Sequence, residues 1–505
     1  MNLLRGVVSF LSLGLLVATC GFDGAFATKT QVNSTSQKKA GDLSLQPFVF
    51  QSRSGEKVDA ELGRLAVPEN RKDPNAKLIT LVFVRFKSTS SNPGPPIIYL
   101  AGGPGGSGIA AARGTRFPLF MAMREAADVI ALDQRATGNS TPDLDCPQTL
   151  DYPLDRAGDR EEILRLLKQK SRECAEHWKS KGVDLAGYNT NESADDIESL
   201  RMALGVEKVS LWAISYGTHL ALATIRRHEK SIHQAVLAGV EGPSHTLKLP
   251  SNIQANLEKI NLLVKADSSL NKQIPDLIAM MKAVLERLEK QPIQLETVDP
   301  QTKQKVRVTV GRFDVERLTA SVIGNEQVAQ IPAFYHALYT GNTSSPILSI
   351  TSARVLAERR GQIGSAMPFA MDCASGVSKA RRQRILSEAR GTLLGNSIDF
   401  PFPEVCEGWG VPDLGESFRS PVKSNVPALF ISGTLDARTP VSNAEEVRRG
   451  FSKSLHLIID GAVHSDPLFL SSPRIKDVML EFLKEKPIST TRVTIGPMKF
   501  APLSQ

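Results

Sequence analysis

Histidine and cysteine are scarce in this sequence, eight and five among 505 residues. They form neither an H-E-x-x-H pair nor a Cys/His cluster at ligand spacing, so neither a zinc centre nor any other cofactor is implied. A phosphate loop is also missing: the one glycine-rich stretch, Ala101-Gly-Gly-Pro-Gly-Gly-Ser-Gly108, has no Gly-Lys-Ser/Thr ending. Its G-x-G-x-x-G match, Gly103 to Gly108, is not followed by a clear helix signal. Cationic residues are spread along the chain, with only short pairs such as Arg359-Arg360 and Arg381-Arg382. With no basic stripe interleaved with aromatics, nucleic acid is not an expected partner, and the net charge of +8 reads as a solvated basic surface. No apolar run is long enough for a stable membrane span, and no internal repeat is visible.

The sequence does hold enough material for a main domain with a second one inserted or appended, at ordinary hydrophobic (41%) and charged (23%) content. Residues 1–27 read as an export signal: Arg5, an apolar run over 6–19, and Ala25-Phe-Ala27 as a cleavage site. A competing reading makes Cys20 a lipid-modified N-terminus, although Thr19 fits that poorly. The other four cysteines allow three pairings. Cys146 with Cys174 and Cys373 with Cys406 is preferred, because these are sequence neighbours closing loops of similar length. Export into an oxidising compartment favours bonds over four free thiols.

The chain is organised around Val209-Ser-Leu-Trp-Ala-Ile-Ser-Tyr-Gly-Thr-His-Leu-Ala-Leu-Ala223. A short apolar, β-branched run suits a buried parallel strand, and the Ala/Leu-rich end suits a helix. Ala213-Ile-Ser215-Tyr-Gly217 between them is one residue from the G-x-S-x-G nucleophile elbow. That tight turn needs small residues two positions either side of the serine. It points the N–H of Tyr216 at a reacting carbonyl oxygen.

Before this stretch, strand-like runs at 47–50, 60–67 and 78–86 suit an antiparallel opening to a larger sheet. A buried run at 95–100 enters the glycine-rich loop, which fits the second half of an oxyanion hole, with Gly103 its expected donor. Residues 127–133 form another strand running into Gln134-Arg-Ala-Thr-Gly-Asn-Ser140, where Asp133 and Arg135 are read as holding the loop by a salt bridge and backbone bonds, with substrate binding the alternative. After the elbow and a strand at 234–240, strand–helix alternation stops. Helices are expected at 252–265 and 274–290, a polar hairpin at 298–310, and mostly helix over 313–339, interrupted near Pro332. Strands return at 426–432 and 454–460, followed by a helix at 475–485, and 486–505 has no assigned structure.

Two late turns complete the chemistry. One holds Asp436 in Gly433-Thr-Leu-Asp-Ala-Arg-Thr-Pro440, the other His464 in Gly461-Ala-Val-His-Ser465. Ser215, Asp436 and His464 each follow an expected strand, in the chain order of the α/β-hydrolases. His464 would accept the Ser215 proton and return it to the leaving group, with Asp436 holding the imidazole tautomer. Asp460 and Asp466 are rival acids. His219, on the elbow helix and facing away from the serine turn, and His456, mid-strand, are rival bases.

Ala101-Gly-Gly-Pro-Gly-Gly, Asp133-Gln-Arg-Ala-Thr-Gly-Asn-Ser, Ser215-Tyr-Gly-Thr, Gly433-Thr-Leu-Asp-Ala-Arg-Thr-Pro and His464 together resemble the prolyl aminopeptidase and tripeptidyl aminopeptidase family of serine α/β-hydrolases, over about residues 45–485. Departures are Ala101 for the usual His, Ala136 for Gly and Ala213 for Gly. The four mature cysteines resemble the secreted tripeptidyl branch. The resemblance implies release of short N-terminal pieces from peptides, with the free amine held by lid carboxylates, for which Glu241 is a candidate. The expected architecture is an α/β-hydrolase core (45–241 and 366–485) carrying a helical lid (242–365), after a 28–44 lead-in and before a 486–505 tail. An esterase acting on small acyl esters and a non-catalytic binding protein on the same scaffold are the alternatives.

Overall fold

Strand polarity follows from which runs are apolar on both faces and which alternate. The computed structural model describes residues 39–504. The export signal, Cys20 and most of the lead-in lie outside the described residues. In chain order the strands are β1 (Leu43–Gln51), β2 (Lys57–Pro68), β3 (Leu78–Phe86), β4 (Gly94–Leu100), β5 (Ala127–Asp133), β6 (Val209–Ser215), β7 (Ile232–Val240), β8 (Ile293–Val298), β9 (Lys305–Val310), β10 (Ala428–Gly433), β11 (Ser454–Asp460) and β12 (Arg492–Thr494). Ten of them form one sheet in the order β1-β2-β3-β5-β4-β6-β7-β10-β11-β12. The pairs β1·β2, β2·β3 and β3·β5 are antiparallel and the rest are parallel.

The central strands are buried on both sides, as a sheet with helices on each face requires. Ile98, Leu100, Leu211 and Ala213 point into one apolar cluster. Their neighbours Ile97, Tyr99, Trp212 and Ile214 point into the other. Trp212 is fully buried, with its ring 4.7 Å from those of Tyr99 and Phe120 and 5.7 Å from Phe469. Such aromatic pairs add about 0.5–1.5 kcal/mol each beyond the area they bury.

Between β7 and β10 the chain is helical apart from the two-stranded β8–β9 sheet. These helices and β8–β9 build a third apolar cluster, which also takes in Leu435, Ala437 and Val463 from the turns after β10 and β11. The helix Ala366–Ser375 packs back onto the sheet through Met367, Ala370 and Met371. The disulfides are Cys146–Cys174 and Cys373–Cys406. Among the described residues no helix is long and apolar enough to cross a membrane.

Three local expectations are corrected. The hairpin spans Ile293 to Val310 rather than 298–310, since Ile293, Leu295 and Thr297 already alternate inward. Pro332 starts the helix Ile331–Thr340 instead of interrupting one, because the missing N–H costs nothing at a first turn. The real break is at 323–330. The tail adds β12 to the sheet edge, and then Met498, Phe500 and Leu503 lie on the helical insertion. Ala501 N donates to Ala329 O at 3.0 Å.

Candidate active site

The elbow forms where β6 stops and the helix Tyr216–His228 starts, with no loop between them. Ser215 must therefore turn the chain alone, at φ 56° and ψ −128°. That conformation costs a non-glycine residue about 1–3 kcal/mol, which the surrounding packing supplies. Gly217 is required by close approach: a methyl there would lie 2.1 Å from Leu100 O. Ala213 is tolerated because it sits inside the ladder, paired with Leu100, where its methyl is buried with the sheet. Gly102 is the other crowded point. Its missing methyl would lie 2.8 Å from Ser215 Cβ and 3.0 Å from Ile214 O, so the glycine-rich loop rests directly on the serine.

That loop is held from β5. Asp133 accepts from Ser107 Oγ (2.5 Å), Ile109 N (3.0 Å) and Asn139 N (2.8 Å), and Gln134 Nε2 donates to Ala101 O (3.0 Å). Arg135 is fully buried and does not pair with Asp133. It grips both oxygens of Asp196 at 2.8 Å and the Glu69 carbonyl at 2.7 Å. Ala136 takes the left-handed φ of 54° that a glycine would adopt without strain. Gly103 sits at φ 123° with its N–H unclaimed among the described residues. Tyr216 opens a helix, so its N–H has no acceptor within it.

Asp436 and His464 come from the turns after β10 and β11. His464 Nδ1 lies 2.8 Å from Asp436 Oδ2, and both side chains are buried. The Asp436 carboxylate is saturated with donors. Thr439 Oγ1 reaches Oδ2 at 2.6 Å, while Thr439 N and Arg438 N reach Oδ1 at 2.8 and 2.9 Å. Burial pushes this carboxyl up, but the facing imidazole and these hydrogen bonds outweigh it and hold Asp436 below the usual carboxylate range. Thr439 Oγ1 also lies 3.0 Å from His464 Nδ1, so one hydroxyl orients both groups. Gly239, at φ 57°, leaves space for the imidazole: a methyl there would lie 3.0 Å from His464 Cε1.

Ser215 and His464 line one cavity of about 510 Å³, together with Gly102 and Gly103. The serine hydroxyl has no hydrogen-bond partner among the described residues and is open to that space; in unliganded sites such bonds often tighten only on binding. A second space of about 520 Å³, around Asp159, Arg312 and Asn396, contains none of these groups.

The rivals are engaged elsewhere. His219 is buried against Gly242 O (3.1 Å) and Ser375 Oγ (3.2 Å). His456 meets Glu445 (2.5 Å) and Ser432 (3.0 Å). Asp460 pairs with Arg492 (2.5 Å), and Asp466 with Arg116 (2.7 Å).

Glu241 is buried one residue past β7. Its N–H donates to Thr218 Oγ1 (2.8 Å), which in turn donates to Ser215 O (2.6 Å). Its carboxylate takes the Lys248 ammonium at 2.6 Å. Sequence reasoning missed a second carboxyl beside it, Asp372 on the helix Ala366–Ser375. Asp372 has no hydrogen-bond or ion-pair partner among the described residues. Burial, reinforced by the nearby Glu241 and opposed by Lys248, pushes it well above the ordinary range. Its only signal in the sequence was a charge inside an otherwise apolar helix next to Cys373.

Lys248 N also donates to Asp399 Oδ1 at 2.7 Å, while Asp399 Oδ2 is buried without a partner. Burial pushes Asp399 up to about 7, against the Lys248 hydrogen bond and the Lys248 and Arg381 charges. Its folded value thus exceeds the unfolded value of about 3.9. The stability tied to its proton is complete below about pH 4 and is lost as pH rises through about 7. Asp399→Asn is expected to flatten the decline in Tm across that window, as thermal melts from pH 4 to 8 would report.

The chain matches the alpha/beta hydrolase fold family over residues 95–469. It is 24% identical over 439 residues to "Serine protease Hip1" of Mycobacterium tuberculosis, covering 80% of this chain and 81% of that protein. It is 23% identical over 476 residues to a tripeptidyl aminopeptidase of Streptomyces coelicolor, covering 86% and 83%. A "Putative hydrolase YuaR" of Escherichia coli is 23% identical over 408 residues, covering 78% of each. Sheet order, elbow and family match agree, and the chain belongs to the alpha/beta hydrolase fold family.

Proposed function

We propose that this protein is an exported serine aminopeptidase that releases short N-terminal residues or peptides through an acyl-enzyme. The observation that carries the reading is a strained Ser215 open to the same cavity as His464, whose other ring nitrogen is bonded to the buried Asp436. In the proposed reaction Ser215 Oγ attacks the scissile carbonyl while His464 takes its proton. The N–H groups of Gly103 and Tyr216 stabilise the oxyanion, and His464 then returns the proton to the departing amine. Water, deprotonated by His464, cleaves the acyl ester and restores Ser215.

Amine recognition is assigned to the acidic pair Glu241 and Asp372, of which Glu241 is tied to the elbow by its N–H on Thr218 Oγ1. The substrate ammonium would supply the partner that Asp372 lacks. Serine protease and aminopeptidase relatives support the reaction class, and two disulfides fit an oxidising destination. The helical stretch 242–365 is proposed as the lid over a core of 45–241 and 366–485.

Matched peptide anilides with a free or an acetylated amine test the reading. The free amine is expected to be preferred by about 10- to 100-fold in kcat/KM, the scale of one buried charge-assisted hydrogen bond. Equal rates would reject recognition of the free amine and with it the aminopeptidase.

A further inference from the structure

The Ser215 cavity is unequally charged. Arg53, Arg116 and Arg438 line it, against a single carboxylate, Asp466. Arg116 and Asp466 neutralise each other. Nε donates to Oδ1 at 2.7 Å, Thr115 also donates to Asp466, and the rest of the guanidinium is used by Tyr99 OH and by Ser465 Oγ at 3.2 Å. Two guanidinium groups remain without a carboxylate on them. Arg53 sits exposed in the β1–β2 turn, fixed there by its backbone N–H on Arg113 O at 2.8 Å. Its side chain makes no hydrogen bond or ion pair among the described residues. Arg438 donates to Ser321 O at 2.9 Å, and no carboxylate lies within ion-pair distance of it. Burial lowers its pKa against the more distant charges of Asp436 and Glu241, so an anion arriving beside it would be favoured.

Two members of this basic wall, Arg116 and Arg438, adjoin the turns that carry His464 and Asp436. Ser465 and Asp466 directly follow His464, the group that hands its proton to the leaving amine. We infer that the cavity binds a carboxylate carried by the leaving portion of the substrate, with Arg53 as its main specificity residue and Arg438 in support. The preferred substrates are then short peptides whose leaving fragment ends in a free carboxylate, or bears an acidic side chain next to the scissile bond. The inference rests on the serine-hydrolase reading of Ser215 but not on recognition of the amine.

Two substrate pairs separate the carboxylate sources. One is a free-acid tetrapeptide and its C-terminal amide. The other is a pair of amidated peptides with Asp or Asn just after the bond. At low salt the carboxylated member of at least one pair is expected to show kcat/KM about two- to fivefold higher, through KM, as for an exposed ion pair. The preference should fade above about 0.5 M salt. Arg53→Gln should abolish it, bringing kcat/KM for the carboxylated member down to that of its neutral counterpart. Equal rates within both pairs, or a preference that survives Arg53→Gln, overturns the inference. Phenyl acetate and carboxyphenyl acetate, each referenced to Arg53→Gln, repeat the test on esters. An enzyme that cleaves esters but no peptide would thus refute the aminopeptidase while still reporting on the charge preference.

Discussion

Ser215→Ala is expected to lower kcat by about 10⁵–10⁶, close to 7–8 kcal/mol of transition-state stabilisation, and to abolish labelling by a fluorophosphonate probe. The size follows from what the substitution removes. Residual turnover would come only from the N–H groups of the oxyanion site and from substrate positioning, which together leave about 10³–10⁴ over water in comparable hydrolases. The fold should be unaffected, because the lost hydroxyl bonds to nothing among the described residues and the Cβ that Gly102 packs against remains. Equal melting curves for wild type and variant, with active-site titration of each, check both halves. Substantial turnover in the variant would remove Ser215 from the reaction.

Asp436→Asn is expected to cost about 10⁴ in kcat with little change in KM. The carboxylate accepts from His464 Nδ1, from Thr439 Oγ1 and from two backbone N–H groups. An amide there turns its NH₂ toward one of these donors and favours the imidazole tautomer with its proton on the wrong nitrogen. Thr439→Val should show a smaller loss, about 10-fold, because it removes one charge-assisted bond but leaves the carboxylate. Thr439→Ser should restore activity, which a purely steric role of the threonine would not allow. If Asp436→Asn keeps near-normal kcat, another group orients the histidine. The committed partners of Asp460 and Asp466 leave no obvious replacement.

The sheet and the elbow were legible because each rests on local information. A continuous apolar run such as 209–214 can only be buried on both faces, and small residues around Ser215 are what a loop-free strand-to-helix turn needs. Asp436 and His464 were legible for the same reason, each following a recognisable strand. What stayed hidden depends on distant chain. Asp372 is distinctive only because β7 brings Glu241 beside it, and Arg53 matters only because the β1–β2 turn reaches a cavity built some 160 residues later. Arg135 looked like a partner for Asp133 by proximity in sequence, yet folding gave it Asp196 instead. β12 is three residues long with one buried side chain, too little periodicity for any pattern to register.

The run from β12 to residue 504 bears on how substrate gets in. Lids are commonly pictured as flaps swinging on their two covalent linkers. For the proposed lid 242–365, further attachments cross the seam: Ile495 N donates to Asp460 O at the sheet edge, Ala501 N donates to Ala329 O, and three half-buried apolar side chains between and beyond them pack against the insertion. His464 N crosses it too, donating to Gly324 O at 2.5 Å, as do Asn256 Nδ2 to Leu435 O and Arg438 to Ser321 O, each at 2.9 Å. A rigid swing would have to peel this belt away and pull on the imidazole's own backbone at once. Traffic to the serine is thus expected to pass through a standing portal widened by small local movements.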